Sequence, residues 1–179
     1  AQEAFNTVIE RFPYAQAWDP KGWFWKVAEG ASDKLTTIGT PYDFGDYTSQ
    51  TLTTKAWEAL GKKDHRGVEL HTKKCIELYE EEAKKQAAQL ADFVSVEQEG
   101  KEAVFKNWAL NDVATCYFIL GESLMAQKRY QEAKAAYERV VSDFPFAQCW
   151  DPKGWFWKVA VAARGGMNKA LALSGLTSR

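Results

Sequence analysis

The sequence lacks any apolar run approaching the roughly 20 residues that cross a bilayer, so no membrane-spanning helix is expected. It also lacks an excess of either charge: 23 Lys and Arg stand against 24 Asp and Glu, a formal net charge of −1. Lys and Glu are interleaved rather than gathered into a basic face, so a dedicated nucleic-acid binder is not expected. Histidine is scarce. His65 and His71 lie six residues apart, on different faces of one helix, and without a third ligand nearby no metal site is expected. Cys75, Cys116 and Cys149 include no CxxC pair and cannot form a closed disulfide framework. They read first as small core residues, with a Cys116–Cys149 bridge left open for an oxidising compartment. No Ser-His-Asp or Cys-His arrangement has support. Asp43-Phe44-Gly45 stands without a phosphate loop or catalytic loop and reads as a turn. Glu80-Glu81-Glu82, followed by Lys84-Lys85, reads as a solvated helix face. Neither a catalytic residue nor a cofactor is nominated, so an enzyme is not expected.

What the sequence does have is tryptophan, eight in 179 residues. Indoles at that density are buried in the fold, buried in a partner or stacked on a ligand. With 46% apolar and 26% charged residues the composition is globular, and the length suits one domain or a short array of stacked units. The chain opens Ala-Gln-Glu-Ala without an initiator Met, in what reads as mid-helix. That start suggests a processed chain and slightly favours an exported one, periplasmic or extracellular.

Laid on itself, the chain repeats. Residues 4–28 and 136–160 align at a constant offset of 132, and Trp18–Ala28 matches Trp150–Ala160 without a break. The helix before each block drifts but keeps its apolar positions: Phe5/Tyr137, Val8/Val140, Ile9/Val141 and Phe12/Phe144.

Upstream of the second copy, residues 114–145 carry Tyr117, Leu120-Gly121, Leu124, Tyr130, Ala133, Tyr137, Val140 and Pro145 in that order. This segment resembles the tetratricopeptide repeat, departing from its 34-residue pattern at Val140, where the family prefers Ala. Gly121 and Ala133 let two antiparallel helices approach, Tyr130 opens the second helix after a Gln127–Arg129 turn, and Pro145 ends it. A more degenerate repeat lies at 49–82, with Leu52, Ala56, Ala59, His65, Val68, Thr72 and Cys75 at corresponding positions and Gly61–Asp64 as the turn.

The resemblance implies an all-α fold, a helical-hairpin α-solenoid with Trp-rich capping helices, within a single domain. The expected layout is a half repeat (1–12) with a Trp-rich helix (19–34), together spanning 1–34, and a loop (35–48). A hairpin over 49–93 follows, then a hinge at Ser95–Gly100 and a hairpin over 103–145. A capping element at 147–165, stopped by Gly165-Gly166, leaves 166–179 as a tail. In each Trp-rich block, Asp19 or Asp151 reads as a helix N-cap and Pro20 or Pro152 as the first helical residue. Trp18 with Trp23, and Trp150 with Trp155, have the spacing of a hydrophobic staple. Such a helix is apolar nearly all round and must be covered on more than one side.

Three functional expectations follow. The resemblance implies protein binding on a concave surface formed by Thr53, Trp57, Leu60, Thr115, Phe118, Glu122 and Met125, without the Lys/Asn clamp for acidic peptide C-termini. The doubled block suggests self-assembly, head-to-tail or swapped and open to filament growth. Its candidate residues are Trp18, Trp23, Phe24 and Trp25 with Trp150, Trp155, Phe156 and Trp157. The alternative is an exported glycan-binding module that uses Tyr42, Tyr47, Trp57 and Trp108 as stacking platforms.

Overall fold

The computed structural model describes residues 2–19, 23–37, 42–151 and 153–177, apart from a few side chains near the first Trp-rich block and the C-terminus. The chain divides into two compact units, Ala1–Asp43 and Phe44–Arg179. The first holds α1 (Gln2–Arg11), β1 (Gln16–Asp19), β2 (Trp23–Lys26) and α2 (Val27–Thr37). The second begins with α3 (Ser49–Gly61) and α4 (His65–Ala87), followed by the short α5 (Val96–Glu99) and α6 (Lys101–Phe105). It continues with α7 (Trp108–Ala126), α8 (Tyr130–Asp143), β3 (Gln148–Asp151), β4 (Trp155–Lys158) and α9 (Val159–Thr177).

Helices α3 with α4 and α7 with α8 form two helical hairpins; the expected hinge at Ser95–Gly100 holds α5 instead, and the second hairpin begins at Trp108 after the separate α6. Asp64 caps α4 by accepting from the Gly67 N–H at 3.0 Å, and α8 opens at Tyr130. Leu52, Ala56, Ala59, Val68, Thr72 and Cys75 are all buried, while His65 is only partly covered. The Phe44–Tyr47 segment is a turn, closed by Tyr47 N–H to Phe44 C=O at 3.3 Å. Glu80 is more than a solvated acid. It accepts from the Tyr117 hydroxyl at 2.9 Å and the Arg139 guanidinium at 2.5 Å, tying α4 to α7 and α8. Burial raises its pKa, but these hydrogen bonds outweigh that and hold the carboxyl below its ordinary value.

The Trp-rich blocks correct the expectation of capping helices. Each is an antiparallel hairpin that only then enters a helix, with Asp19 opposite Trp23 and Asp151 opposite Trp155. In the second copy Gly154 N–H bonds Asp151 C=O at 2.9 Å, and Gly154 has φ +102°. This is a tight turn closed by a glycine at positive φ, a common three-residue hairpin loop. The Asp151 carboxylate accepts from Lys153 N–H at 2.8 Å, so it caps a turn rather than a helix. Asp-Pro serves both signals because the first residue of a type I turn loop and the first turn of a helix share nearly the same dihedrals. The glycine three positions on, and the aromatic strand Trp-Phe-Trp-Lys, decide for the hairpin. Pro20 and Pro152, and the side chains of Asp19, Trp23 and Trp25, lie outside the described residues.

Two boundaries also move. Helix α4 stops at Ala87 rather than near Phe93, because the chain turns out to meet the hairpin. Val94 N–H donates to the Gln148 side-chain oxygen at 2.9 Å, and Phe93 packs edge-on against Phe146 at 5.5 Å. Gly165-Gly166 does not stop a helix; α9 runs through it to Thr177. The reason is Tyr137. Its buried ring lies between Gly121 of α7 and Gly166 of α9, where an added Cβ would come within 2.5 Å of a ring atom on either side. Its hydroxyl donates to Glu122 at 2.6 Å.

This clamp makes a paired prediction by thermal or denaturant unfolding. Gly165 has open space around it, so Gly165→Ala should add up to ~1 kcal/mol through helix propensity. Gly166→Ala gains the same propensity but overpacks Tyr137, and should lose about 1–3 kcal/mol net. Equal effects from the two would contradict the clamp.

Candidate functional site

The second unit holds an open groove of about 1840 Å³. Its floor is α7, through Trp108, Asn111, Asp112 and Phe118, together with Phe105 of α6. One wall is α3, through Ser49, Thr53 and Trp57; the other is the hairpin β3–β4 and the start of α9. The first helices of the two helical hairpins, α3 and α7, therefore both border the groove.

The hairpin is held as a wall by hydrogen bonds at its root. Gln148 N–H donates to the Asn111 side-chain oxygen at 2.9 Å, and the Gln148 amide bonds Val94 C=O at 3.2 Å. Asn111 in turn donates to Val104 C=O at 2.9 Å. Strand alternation then sends Trp150 and Phe156 to one side, edge to face at 4.9 Å, with Phe105 5.4 Å from Phe156. Trp157 goes to the other side and packs on Phe118 at 5.3 Å, which also meets Trp57 at 6.2 Å. Trp157 is thus half-buried within its own unit, whereas Trp155 is half exposed. Trp57 and Trp108 likewise keep exposed surface towards the groove.

Among the concave-face candidates, Thr53, Trp57 and Phe118 line the groove. The others have different surroundings. Leu60 packs on the small core cluster around Ala56 and Ile119, and Met125 on the main core. Thr115 is buried with its hydroxyl on Asn111 C=O at 2.7 Å, and Glu122 holds Tyr137. Of the hairpin candidates, Trp150, Trp155, Phe156 and Trp157 line the groove, while Trp18 and Phe24 belong to the first unit. Trp108, proposed above as a sugar platform, lines it too.

Asp112 is the groove residue that motif reasoning missed. It is the single charged residue between Lys106 and Glu122, and it lies one turn after Trp108 on the same face. A lone acid in an apolar helix was the available signal. Its carboxylate accepts from the Ser49 hydroxyl, while burial raises its pKa to about 6. All three cysteines are free thiols; Thr53 bridges towards Cys116 at 3.3 Å, and burial pushes the Cys116 thiol well up. Among the described residues no group of three His, Cys, Asp or Glu is placed to hold a metal, and no helix is long and apolar enough to cross a membrane.

Residues 115–147 match the family model described as Tetratricopeptide repeat. That segment, which covers most of α7 and all of α8, therefore carries a tetratricopeptide repeat, and the described residues around it form a mainly helical repeat fold consistent with that type. No curated protein and no solved structure matches the chain at a significant level.

Asp112 makes stability depend on pH. Its folded pKa of about 6 lies above the unfolded ~3.9, so the folded state binds the extra proton between those values. Stability should therefore fall as pH rises from ~4 to ~6, by up to about 3 kcal/mol. Asp112→Asn should flatten that slope in pH-dependent unfolding, whereas an unchanged slope would place its origin elsewhere.

Proposed function

We propose that this chain is a non-enzymatic scaffold that binds an extended protein segment in the groove between α3, α7 and the β3–β4 hairpin. Tetratricopeptide repeats generally mediate protein–protein interaction, and the groove lies on the face formed by first helices. The observation that carries the reading is the set of open indoles. Trp57, Trp108 and Trp155 are 37%, 44% and 52% exposed although all three border one concavity. Aromatic side chains in such a place lose little conformational freedom on binding and offer large contact areas. Trp57→Ala should weaken a peptide ligand at least ~10-fold, the scale of an anchor worth more than 1.4 kcal/mol. Isothermal titration would check this; unchanged affinity would contradict the site. The same indole faces also suit sugar rings, so polysaccharide retention abolished by Trp57→Ala would favour a glycan module instead.

A second reading, self-association, rests on comparing the duplicated modules. In the second unit Phe144 is fully buried and stacks with Tyr117 of α7 at 6.1 Å. Trp150 and Phe156 there are partly covered, with Phe105 against both. Their counterparts Phe12, Trp18 and Phe24 are 56–63% exposed. The first unit thus presents a surface whose twin is covered by an α7-type helix and the segment before it. A further copy of this chain suits that face. Light scattering at high concentration should then give a mass above 20.2 kDa, and Phe24→Glu should lower it to the monomer value. A monomer throughout would rule the reading out.

A further inference from the structure

The groove is lined by three acids, Glu58, Asp112 and Asp151, and by one base, Lys158. That base is already engaged, with its ammonium 4.1 Å from the centre of the Phe93 ring. The concavity is therefore acidic and aromatic together. Asp112 lies at its floor, one helical turn from Trp108. A carboxylate has about four acceptor positions, and Ser49 uses one of them at Oδ2. A cation brought to Asp112 would meet a partly desolvated carboxylate with acceptor capacity remaining and an indole face beside it.

Resting on the groove as the binding site, we propose that its ligand is a peptide segment whose lysine or arginine side chain pairs with Asp112 and lies against the groove indoles. The charge argument disfavours acidic segments, because the three lining carboxylates outnumber the one lining ammonium, Lys158. Size excludes a small cation as the whole ligand. Pockets for drug-sized molecules occupy roughly 300–1,000 Å³, whereas this groove holds about 1840 Å³, room for several residues on either side of the charged one. The fold itself shows that its aromatic surfaces take ammonium groups: the Lys101 ammonium lies 4.4 Å over the Trp150 ring. Such contacts favour a cation by about 0.5–1 kcal/mol when exposed and ~2 kcal/mol or more when desolvated. Exposed Thr54 in the same wall donates its hydroxyl to Gln50 C=O at 2.8 Å and keeps an acceptor side for a peptide N–H.

The test selects random twelve-residue peptides, displayed on phage, against the purified full chain. Enriched peptides should share a lysine or arginine near apolar residues. Synthetic forms should lose about 10- to 100-fold affinity for Asp112→Asn, the range for one charge-assisted hydrogen bond. Replacing the basic residue by citrulline or norleucine should cost the wild-type chain the same factor and the variant nothing. Asp112→Asn keeps the side-chain shape and an acceptor for Ser49, and a wild-type near-ultraviolet spectrum would confirm that it folds. Enriched peptides without a basic residue, or equal binding to Asp112→Asn, would overturn the charge assignment. The groove would still stand if Trp57→Ala weakened those peptides. If no peptide enriched, or the enriched ones ignored Trp57→Ala, both the charge assignment and the groove would be overturned.

Discussion

One buried ring organises the second unit. Tyr137 projects from α8 into a slot between α7 and α9, and the slot exists because Gly121 and Gly166 have no side chains where the ring lies. The close approach draws the three helices into register, and the hydroxyl completes it by donating to Glu122 at 2.6 Å. With α9 fixed in this way, the hairpin that precedes it has its lower end fixed too. Gln148 and Asn111 fix the rest, since Gln148 N–H bonds Asn111 at 2.9 Å at the foot of α7. The groove is thus a consequence of helix packing: α7 is its floor, and the hairpin is a wall held at the strand root.

The duplicated module shows how much burial depends on neighbours rather than on local sequence. Strands β1 and β2 repeat β3 and β4 at the same offset and in the same register. Even the cross-strand pair recurs, with Trp18–Phe24 and Trp150–Phe156 both at 4.9 Å and near 65°. Yet Phe144 is fully buried and Phe12 is 56% exposed. The hairpin conformation is therefore encoded within the block, whereas its coverage is supplied from outside it. In the second unit the cover comes from α7 and the segment around Phe93–Phe105.

Much of the helical repeat was legible in the residues. Tyr130 and Pro145 marked the ends of α8, the Gly61–Asp64 turn was placed correctly, and the degenerate repeat positions other than His65 are buried. The Trp-rich block was misread for an identifiable physical reason. Asp-Pro satisfies both a helix start and a tight turn, and the positive φ of Gly154, which separates them, depends on strand pairing. Gly165-Gly166 misled similarly: glycine that permits close packing and glycine that ends a helix look alike until the neighbouring ring is known. Of the groove, Trp57, Thr53 and Phe118 could be read from repeat positions. Asp112 and the hairpin wall could not, because they reach the groove through tertiary packing of segments about 40 residues apart.

Binding in the groove can be followed through the eight indole N–H groups. A proton–nitrogen correlation spectrum, with each Trp assigned by substitution, would be titrated with a peptide selected on the chain. Trp57, Trp108, Trp155 and Trp157 should shift together along one binding curve while Trp18 stays in place. A curve that moves Trp18 and leaves those four unchanged would contradict the groove as the binding site.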